Sequence, residues 1–321
     1  MTSRTTGPAT TGGGAGAPRR RLRARAVALR TWLMSRLFVP LRKKRKAHLR
    51  YAAILDGQTV NLHAVLPPSA GLPDRAEIVL RRGRRRHHSE ARVYEGPAGE
   101  ILADAAVLLG AELGGAPVEA GRWKLRLRVH SGRRSRSLAL LLLKPPVPYE
   151  GPTKPMAASP VSGARHRLGQ SVTGNARVVS AAARPAVEVT KVHMTHAGIT
   201  VDFRVLGTRV DEPWVEFVAS KHRIEQTVGV IEPGGFRVDV PLDAMAPRRG
   251  RPQHWDVVLR DGSGQSMRLG RRLHDVRNPL RVFAMPSMAI TPQGHPPLIV
   301  HPRYTPAGNL RVTCTRMPEA G

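Results

Sequence analysis

Two stretches decide the fold: G-R-W-K-L-R-L-R-V-H-S-G (Gly121–Gly132) and Q-H-W-D-V-V-L-R-D-G-S-G (Gln253–Gly264). Each carries Trp at its third position and runs into a glycine turn. Further along, T-G-N-A-R-V (Thr173–Val178) answers A-G-N-L-R-V (Ala307–Val312). Residues Gly121–Val178 and Arg251–Val312 therefore read as two copies of one text.

The match extends outward. Thr59–Leu66 corresponds to Thr200–Leu206, Glu77–Leu80 to Trp214–Phe217, and Ile101–Asp104 to Phe236–Asp239. The offset is 141 at Val60/Val201, 132 at Trp123/Trp255 and 134 at Asn175/Asn309. An ordered drift of this kind is what duplication followed by loop trimming leaves. Within each copy the period is two: Leu125, Leu127 and Val129 alternate with Lys124, Arg126 and Arg128, and Phe236, Val238 and Val240 with Arg237 and Asp239. That is a strand with one buried and one wet face. Asp56-Gly57, Arg82-Gly83, Ser131-Gly132 and Asp261-Gly262 punctuate the runs as turns.

Short strands without long 3.6-period stretches predict an all-β chain of two tandem Ig-like antiparallel β-sandwiches. The expected order is a disordered tail over 1–18, a basic amphipathic helix over 19–50, a first sandwich over 51–180, a linker over 181–187 and a second sandwich over 188–316. Trp123 and Trp255 are the expected core anchors.

The 321 residues carry a net charge of +29 and a single cysteine, Cys314, so no intrachain disulfide forms. Arg outnumbers Lys 44 to 8, and Ala, Gly and Pro abound, as a GC-rich genome produces. The charge is uneven. Residues 1–55 hold 14 basic and no acidic side chains, and Asp56 is the first acid.

Within that stretch, Leu22, Ala26, Leu29, Leu33 and Leu37 form a helical stripe, with Trp32 and Phe38 beside it and Pro40 after it. Arg19, Arg20 and Arg21 precede the stripe; Arg42, Lys43, Lys44, Arg45 and Lys46 follow it. Arg25, Arg30 and Arg36 interrupt the apolar run, each at about 2.5–3.5 kcal/mol for insertion, which argues against a span. A helix lying on an anionic phospholipid surface fits best, and predicts a cytoplasmic protein peripheral to the inner face of the membrane. A solvated basic tail, a helix docking on another protein and a nucleic-acid contact remain open.

Two expected hairpin tips in the first copy are strongly basic: Arg81, Arg82, Arg84, Arg85 and Arg86, and then Arg133, Arg134 and Arg136. The matching tips of the second copy, Ala219–Arg223 and Asp261–Ser266, carry less positive charge, so the fold does not require it. These eight arginines are the candidate polyanion-binding residues. Few aromatics lie nearby, which disfavours base stacking.

The sequence carries no phosphate loop, no G-x-S-x-G elbow and no G-x-G-x-x-G. His193 and His196, three apart on a strand, would face opposite sides and do not suggest zinc. No catalytic residue, metal ligand or cofactor is expected.

The C-terminal stretch L-G-R-R-L-H-D-V-R-N-P-L-R-V-F-A-M-P (Leu269–Pro286), with H-P-R-Y-T-P-A-G-N-L-R-V (His301–Val312), resembles a β-sandwich module of GC-rich Gram-positive bacteria. That module accompanies teichoic-acid-type glycerophosphotransferases and glycosyltransferases at their C-terminal end. Gly270, Arg271, Asp275, Val276, Val282, Phe283, Pro286, Tyr304, Thr305, Asn309 and Leu310 match the pattern, while His274 and Arg303 depart from it. No transferase domain precedes the module here. The resemblance implies a cell-envelope glycopolymer context, with Arg271, Asp275, Tyr304 and Asn309 as carried-over positions. The expectation is a non-catalytic binding or scaffolding protein whose partners are an anionic glycopolymer, or its transferase, and anionic phospholipid. A transferase or transferase subunit is the alternative, and a nucleic-acid-binding protein the second.

Overall fold

The structure, a computed structural model, describes residues 46–142, 153–231, 234–247 and 251–317. The tail, and the predicted helix up to residue 45, lie outside the described residues. The chain is all-β; the one α-helix among the described residues is a single turn at Pro279–Val282.

The first half contains β1 (Ala47–Ile54), β2 (Thr59–Val65), β3 (Arg75–Arg82), β4 (Arg85–Glu95), β5 (Ile101–Leu108), β6 (Gly121–Ser131), β7 (Arg134–Leu141), β8 (Arg165–Gln170) and β9 (Ala176–Ala181). The first seven strands close on themselves in the order β3-β4-β5-β2-β1-β7-β6, because β6 returns to pair with β3. Two strands change partners to allow this. Residues Arg85–Ala91 of β4 pair with β3, and Arg92–Glu95 pair with β5. β7 runs antiparallel to β6 and then parallel to β1.

The second half contains β10 (Ala186–Met194), β11 (Ile199–Leu206), β12 (Trp214–Ala219), β13 (His222–Thr227), β14 (Gly229–Ile231), β15 (Gly235–Asp239), β16 (Gln253–Arg260), β17 (Ser266–Arg271), β18 (Met288–Ile290), β19 (Leu298–Tyr304) and β20 (Leu310–Arg316). It follows the same pairing order. β12 pairs with β13 and β16, β14 with β15, and β10 runs parallel to β17. The one strand β4 is here two, β13 and β14. In both halves the Trp-bearing strand has a further partner: Trp123↔Val178 on β6 and β9 is matched by Trp255↔Val312 on β16 and β20.

The hairpin turns agree to the atom. Gly174 N–H donates to Ser171 O, and Asn175 N–H to Ser171 Oγ; Gly308 N–H donates to Thr305 O, and Asn309 N–H to Thr305 Oγ1. Gly174 and Gly308 sit at φ 74° and 82°, where a side chain is strained. Asn175 bridges Leu141, and Asn309 bridges Gly270.

Each half has its own apolar core. Trp123 and Trp255 are almost fully buried, one in each core. Cys314 is buried in the second core, and burial pushes its thiol up to about 12, which leaves it protonated and inert.

Three sequence expectations change. β1 begins at Ala47, inside the stretch expected to be helical: Ala47, Ala52 and Ala53 are buried, and the strand pairs with β2 along most of its length and with β7 at Ala47 and His48. The connection between the halves is shorter, residues 182–185 in place of 181–187, since β9 runs to Ala181 and β10 starts at Ala186. The alignment of Ile101–Asp104 with Phe236–Asp239 is four residues out of register. Val107 faces Val60 and Val238 faces Val201, so Ala105–Leu108 is the segment equivalent to Phe236–Asp239.

Candidate polyanion-binding face

The two arginine-rich hairpins lie at opposite ends of one sheet. Arg81 pairs with Lys124 near the start of β6, whereas Arg75 pairs with His130 near its end, beside the Gly132 turn. Seven residues of strand, about 23 Å, separate the tips. The eight candidate arginines are therefore not one cluster. Arg82 and Arg85 engage Glu119, and Arg82 also donates to Ala120 O. Arg136 donates to Ser69 O at 3.2 Å. Arg84 and Arg133 stand exposed at the tips, and Arg134 is exposed beside the second.

Arg81 and Arg86 belong to something larger. Directly paired residues share a face of the sheet, and the register places Arg86, Arg81, Lys124 and Arg177 side by side across β4, β3, β6 and β9. At about 4.8 Å between strands, the row is about 14 Å long. Stepping by two residues along each strand adds Arg75, Arg122, Arg126 and Arg128, and on β8 Arg165 and Arg167. The same face holds two acids, Glu77 and Glu90.

Glu77 is buried beneath three partners: Arg128 at 3.1 Å, His88 at 2.9 Å and His130 at 3.3 Å. Burial raises its carboxyl pKa, but the hydrogen bonds from His88 and His130 and the charge of Arg128 outweigh that and leave it lowered. Its charge is thus consumed locally. Arg126 is held by Ser137, donating to Oγ at 2.7 Å. Tyr94 continues the same side of β4 beyond Glu90, with Arg92 over its ring at 5.2 Å and its hydroxyl donating to Asp104 Oδ2 at 2.8 Å.

The equivalent face of the second half carries its cations in ion pairs. Lys124 is replaced by Asp256, and Arg177 corresponds to Arg311, so a like-charge pair becomes an ion pair at 2.7 Å. Asp256 also lies 3.7 Å from Arg268. Glu216 binds Arg260 at 3.0 Å and lies 4.0 Å from Arg223.

Sequence reasoning recognised Lys124, Arg126 and Arg128 as the wet positions of a strand but assigned them no role. The signal was the period-two run of cations through Arg122, Lys124, Arg126 and Arg128. What it lacked was the identity of the flanking strands, β3 and β9, which are distant in sequence.

The carried-over positions divide. Arg271 and Tyr304 meet, with the guanidinium carbon 5.9 Å from the ring centroid. Asn309 serves the hairpin turn. Asp275 is exposed, and its carbonyl accepts from Lys154 N–H at 2.6 Å. His274, which departs from the pattern, packs on Phe283, and its Nδ1 accepts from Val276 N–H at 3.0 Å. Lys46, the last of the expected membrane-surface cations, is instead tied into the fold: its Nζ donates to Asn175 Oδ1 at 2.9 Å. The other residues of that group, Arg19 to Arg45, lie outside the described residues. No cluster of three or more metal-binding side chains occurs among the described residues, and none of their helices is long and apolar enough to cross a membrane.

The chain matches no protein-family model and no curated protein. Among solved structures it aligns over 70% of its length with residues 217–571 of S. aureus TarS, at 9% identity and a TM-score of 0.32. It aligns over the same share with S. aureus TarS at 8% identity and a TM-score of 0.32. The chain spans 61% and 39% of those two chains. A segment of a 1.5-MDa bacterial ice-binding adhesin aligns over 69% of this chain and 94% of its own, at 12% identity and a TM-score of 0.19. All three are weak likenesses of fold.

Proposed function

We propose that the two halves are tandem Ig-like sandwiches descended from one duplicated module, and that the chain is a non-catalytic binding or scaffolding protein for an anionic cell-envelope glycopolymer. The observation that carries the reading is Lys124 beside Arg177 where the second half has Asp256 beside Arg311. Like charges directly opposite on a ladder destabilise a sheet. A linear polyanion lying across β4, β3, β6 and β9 would offset that repulsion.

The cations recur at about 4.8 Å across strands and about 6.8 Å along them, within one Debye length of each other at physiological salt. Such a grid recognises charge density, and with Tyr94 held by Arg92 and Asp104 it offers little platform for stacking successive bases. The resemblance of Leu269–Val312 to modules that accompany polymer transferases supports a phosphate-linked wall polymer as the polyanion. In this reading Arg19–Arg45 holds the protein to anionic lipid at the inner membrane surface.

The test is titration of the full chain with a phosphodiester-linked wall polymer, an uncharged dextran and duplex DNA. Combining Arg81→Glu, Lys124→Glu and Arg177→Glu is expected to weaken polymer binding by about 100-fold at 50 mM salt and to flatten its salt dependence. Combining Arg223→Glu, Arg268→Glu and Arg311→Glu in the second half is expected to change it less than about threefold. Equal effects from the two triples, or DNA bound more tightly than the polymer, would refute the reading. Removal of residues 1–45 is expected to abolish sedimentation with anionic vesicles and leave polymer affinity intact; retained sedimentation refutes the lipid contact.

A further inference from the structure

The second half departs from the shared framework at a different place. Arg271 ends β17, and its N–H donates to Gly308 O at 2.7 Å. The equivalent position in the first half is Leu142, whose N–H donates to Gly174 O at 2.9 Å and whose side chain packs into the core. The framework is therefore satisfied by a buried aliphatic residue here. The second half instead holds a half-buried guanidinium over the Tyr304 ring. The ring itself replaces Gln170 of the first half, since Tyr304 pairs with Leu310 as Gln170 pairs with Ala176.

Arg271 opens on a cleft of about 440 Å³ lined also by Asn278, Pro279, Leu280, Arg281 and Pro306. No carboxylate among the described residues forms an ion pair with Arg271 or Arg281. Removing a guanidinium from water without a counter-charge is costly. Burial accordingly lowers the Arg271 pKa, and only the Tyr304 side chain acts the other way. An oxyanion seated between Arg271 and Arg281 would supply the missing charge, and guanidinium forks are suited to oxyanions that accept two parallel hydrogen bonds. Pro279, Leu280 and Pro306 form apolar walls, with the Asn278 amide beside them.

We infer that this cleft binds a phosphate ester, its oxyanion held by Arg271 and Arg281 and its carbon skeleton laid against Pro279, Leu280 and Pro306. The site is separate from the basic face of the first half and does not depend on it.

The full chain is titrated by calorimetry with phenyl phosphate, inorganic phosphate and benzoate. Phenyl phosphate is expected to bind saturably, about tenfold or more tighter than inorganic phosphate because of the apolar walls, and tighter than benzoate. Arg271→Leu, which installs the residue that the first half carries, is expected to lose phenyl phosphate binding, and Arg281→Gln to weaken it about tenfold. Arg271→Lys, which keeps the charge but not the fork, decides the matter if Arg271→Leu does not fold: it too should weaken binding. The triple reversal Arg81→Glu, Lys124→Glu, Arg177→Glu should leave phenyl phosphate binding unchanged, whatever it does to the polymer. No saturable binding at millimolar ligand, benzoate bound as tightly as phenyl phosphate, or affinity indifferent to Arg271→Lys and Arg281→Gln would each overturn the proposal.

Discussion

The two halves share a pairing order, a buried Trp on equivalent strands and a Ser/Thr-capped Gly–Asn hairpin, yet they meet solvent differently. The outer face of the first half is crowded with cations; the corresponding face of the second is stitched by Asp256 and Glu216 into ion pairs. The second half, in turn, replaces a core leucine with Arg271. Because each half is a control for the other, residues present in both belong to the fold, and residues present in one need another explanation. The Trp–Val ladder pairs and the Gly–Asn turns fall in the first class. Lys124, and separately Arg271, fall in the second.

The framework side of the comparison is broken most severely at the tryptophans. Trp123→Ala and Trp255→Ala should each cost about 3–5 kcal/mol by denaturant unfolding. The milder Trp→Phe changes should not be equal. Trp123 Nε1 donates to Glu119 O at 2.9 Å, whereas Trp255 Nε1 has no partner among the described residues. Trp123→Phe should therefore cost about 1 kcal/mol more than Trp255→Phe; equal losses would make the hydrogen bond irrelevant.

A smaller difference lies on the opposite sheet. Asn61 of the first half corresponds to Asp202 of the second, which sits between Arg237 at 2.6 Å and His193 at 3.0 Å. Hydrogen bonding from Arg237 dominates and brings the Asp202 carboxyl down to about 2 from an ordinary 3.8. A carboxyl lowered by folding contributes stability above its unfolded value and loses it as pH falls through its folded one. Asp202→Asn, which imitates the first half, should thus cost about 2 kcal/mol at pH 7. The deficit should shrink between about pH 4 and pH 2, read as unfolding midpoints across that range. A deficit that stays constant with pH would assign the cost to packing.

The least effect is expected at a turn. Gly83 takes φ 59° at the first residue of the β3–β4 turn, and its counterpart Ser220 takes φ 51°. Ser220→Gly should stabilise by about 1 kcal/mol, seen as a raised melting temperature, by relieving a left-handed residue that carries a side chain.

Much of this architecture was legible because the shared elements are local texts. W-x-x-x-L-R and G-N-x-R-V name their own equivalents, and the structure aligns both in the register read from sequence. The register of β5 was not legible. Ile101–Asp104 shares a closing Asp with Phe236–Asp239, which Ala105–Leu108 lacks, and only the ladder to β2 reveals that Ala105–Leu108 is the equivalent segment. The basic face was half legible. The hairpin tips stand out because their arginines are nearly contiguous, whereas the face is assembled from non-adjacent cations on five strands, brought together by pairings between segments far apart in the chain. The meeting of Arg271 with Tyr304 was hidden likewise, since the two are joined only when β17, β19 and β20 converge.

On the proposed reading, the first half gives up sheet stability for affinity toward a linear polyanion. Lys124→Asp tests it most directly, because it restores opposite Arg177 the acid that Asp256 presents to Arg311. The measurement is the affinity of the full chain for long-chain polyphosphate at 50 mM salt. A fall of about fivefold or more is expected, with a melting temperature no lower than that of the parent. An affinity unchanged by the substitution would contradict it.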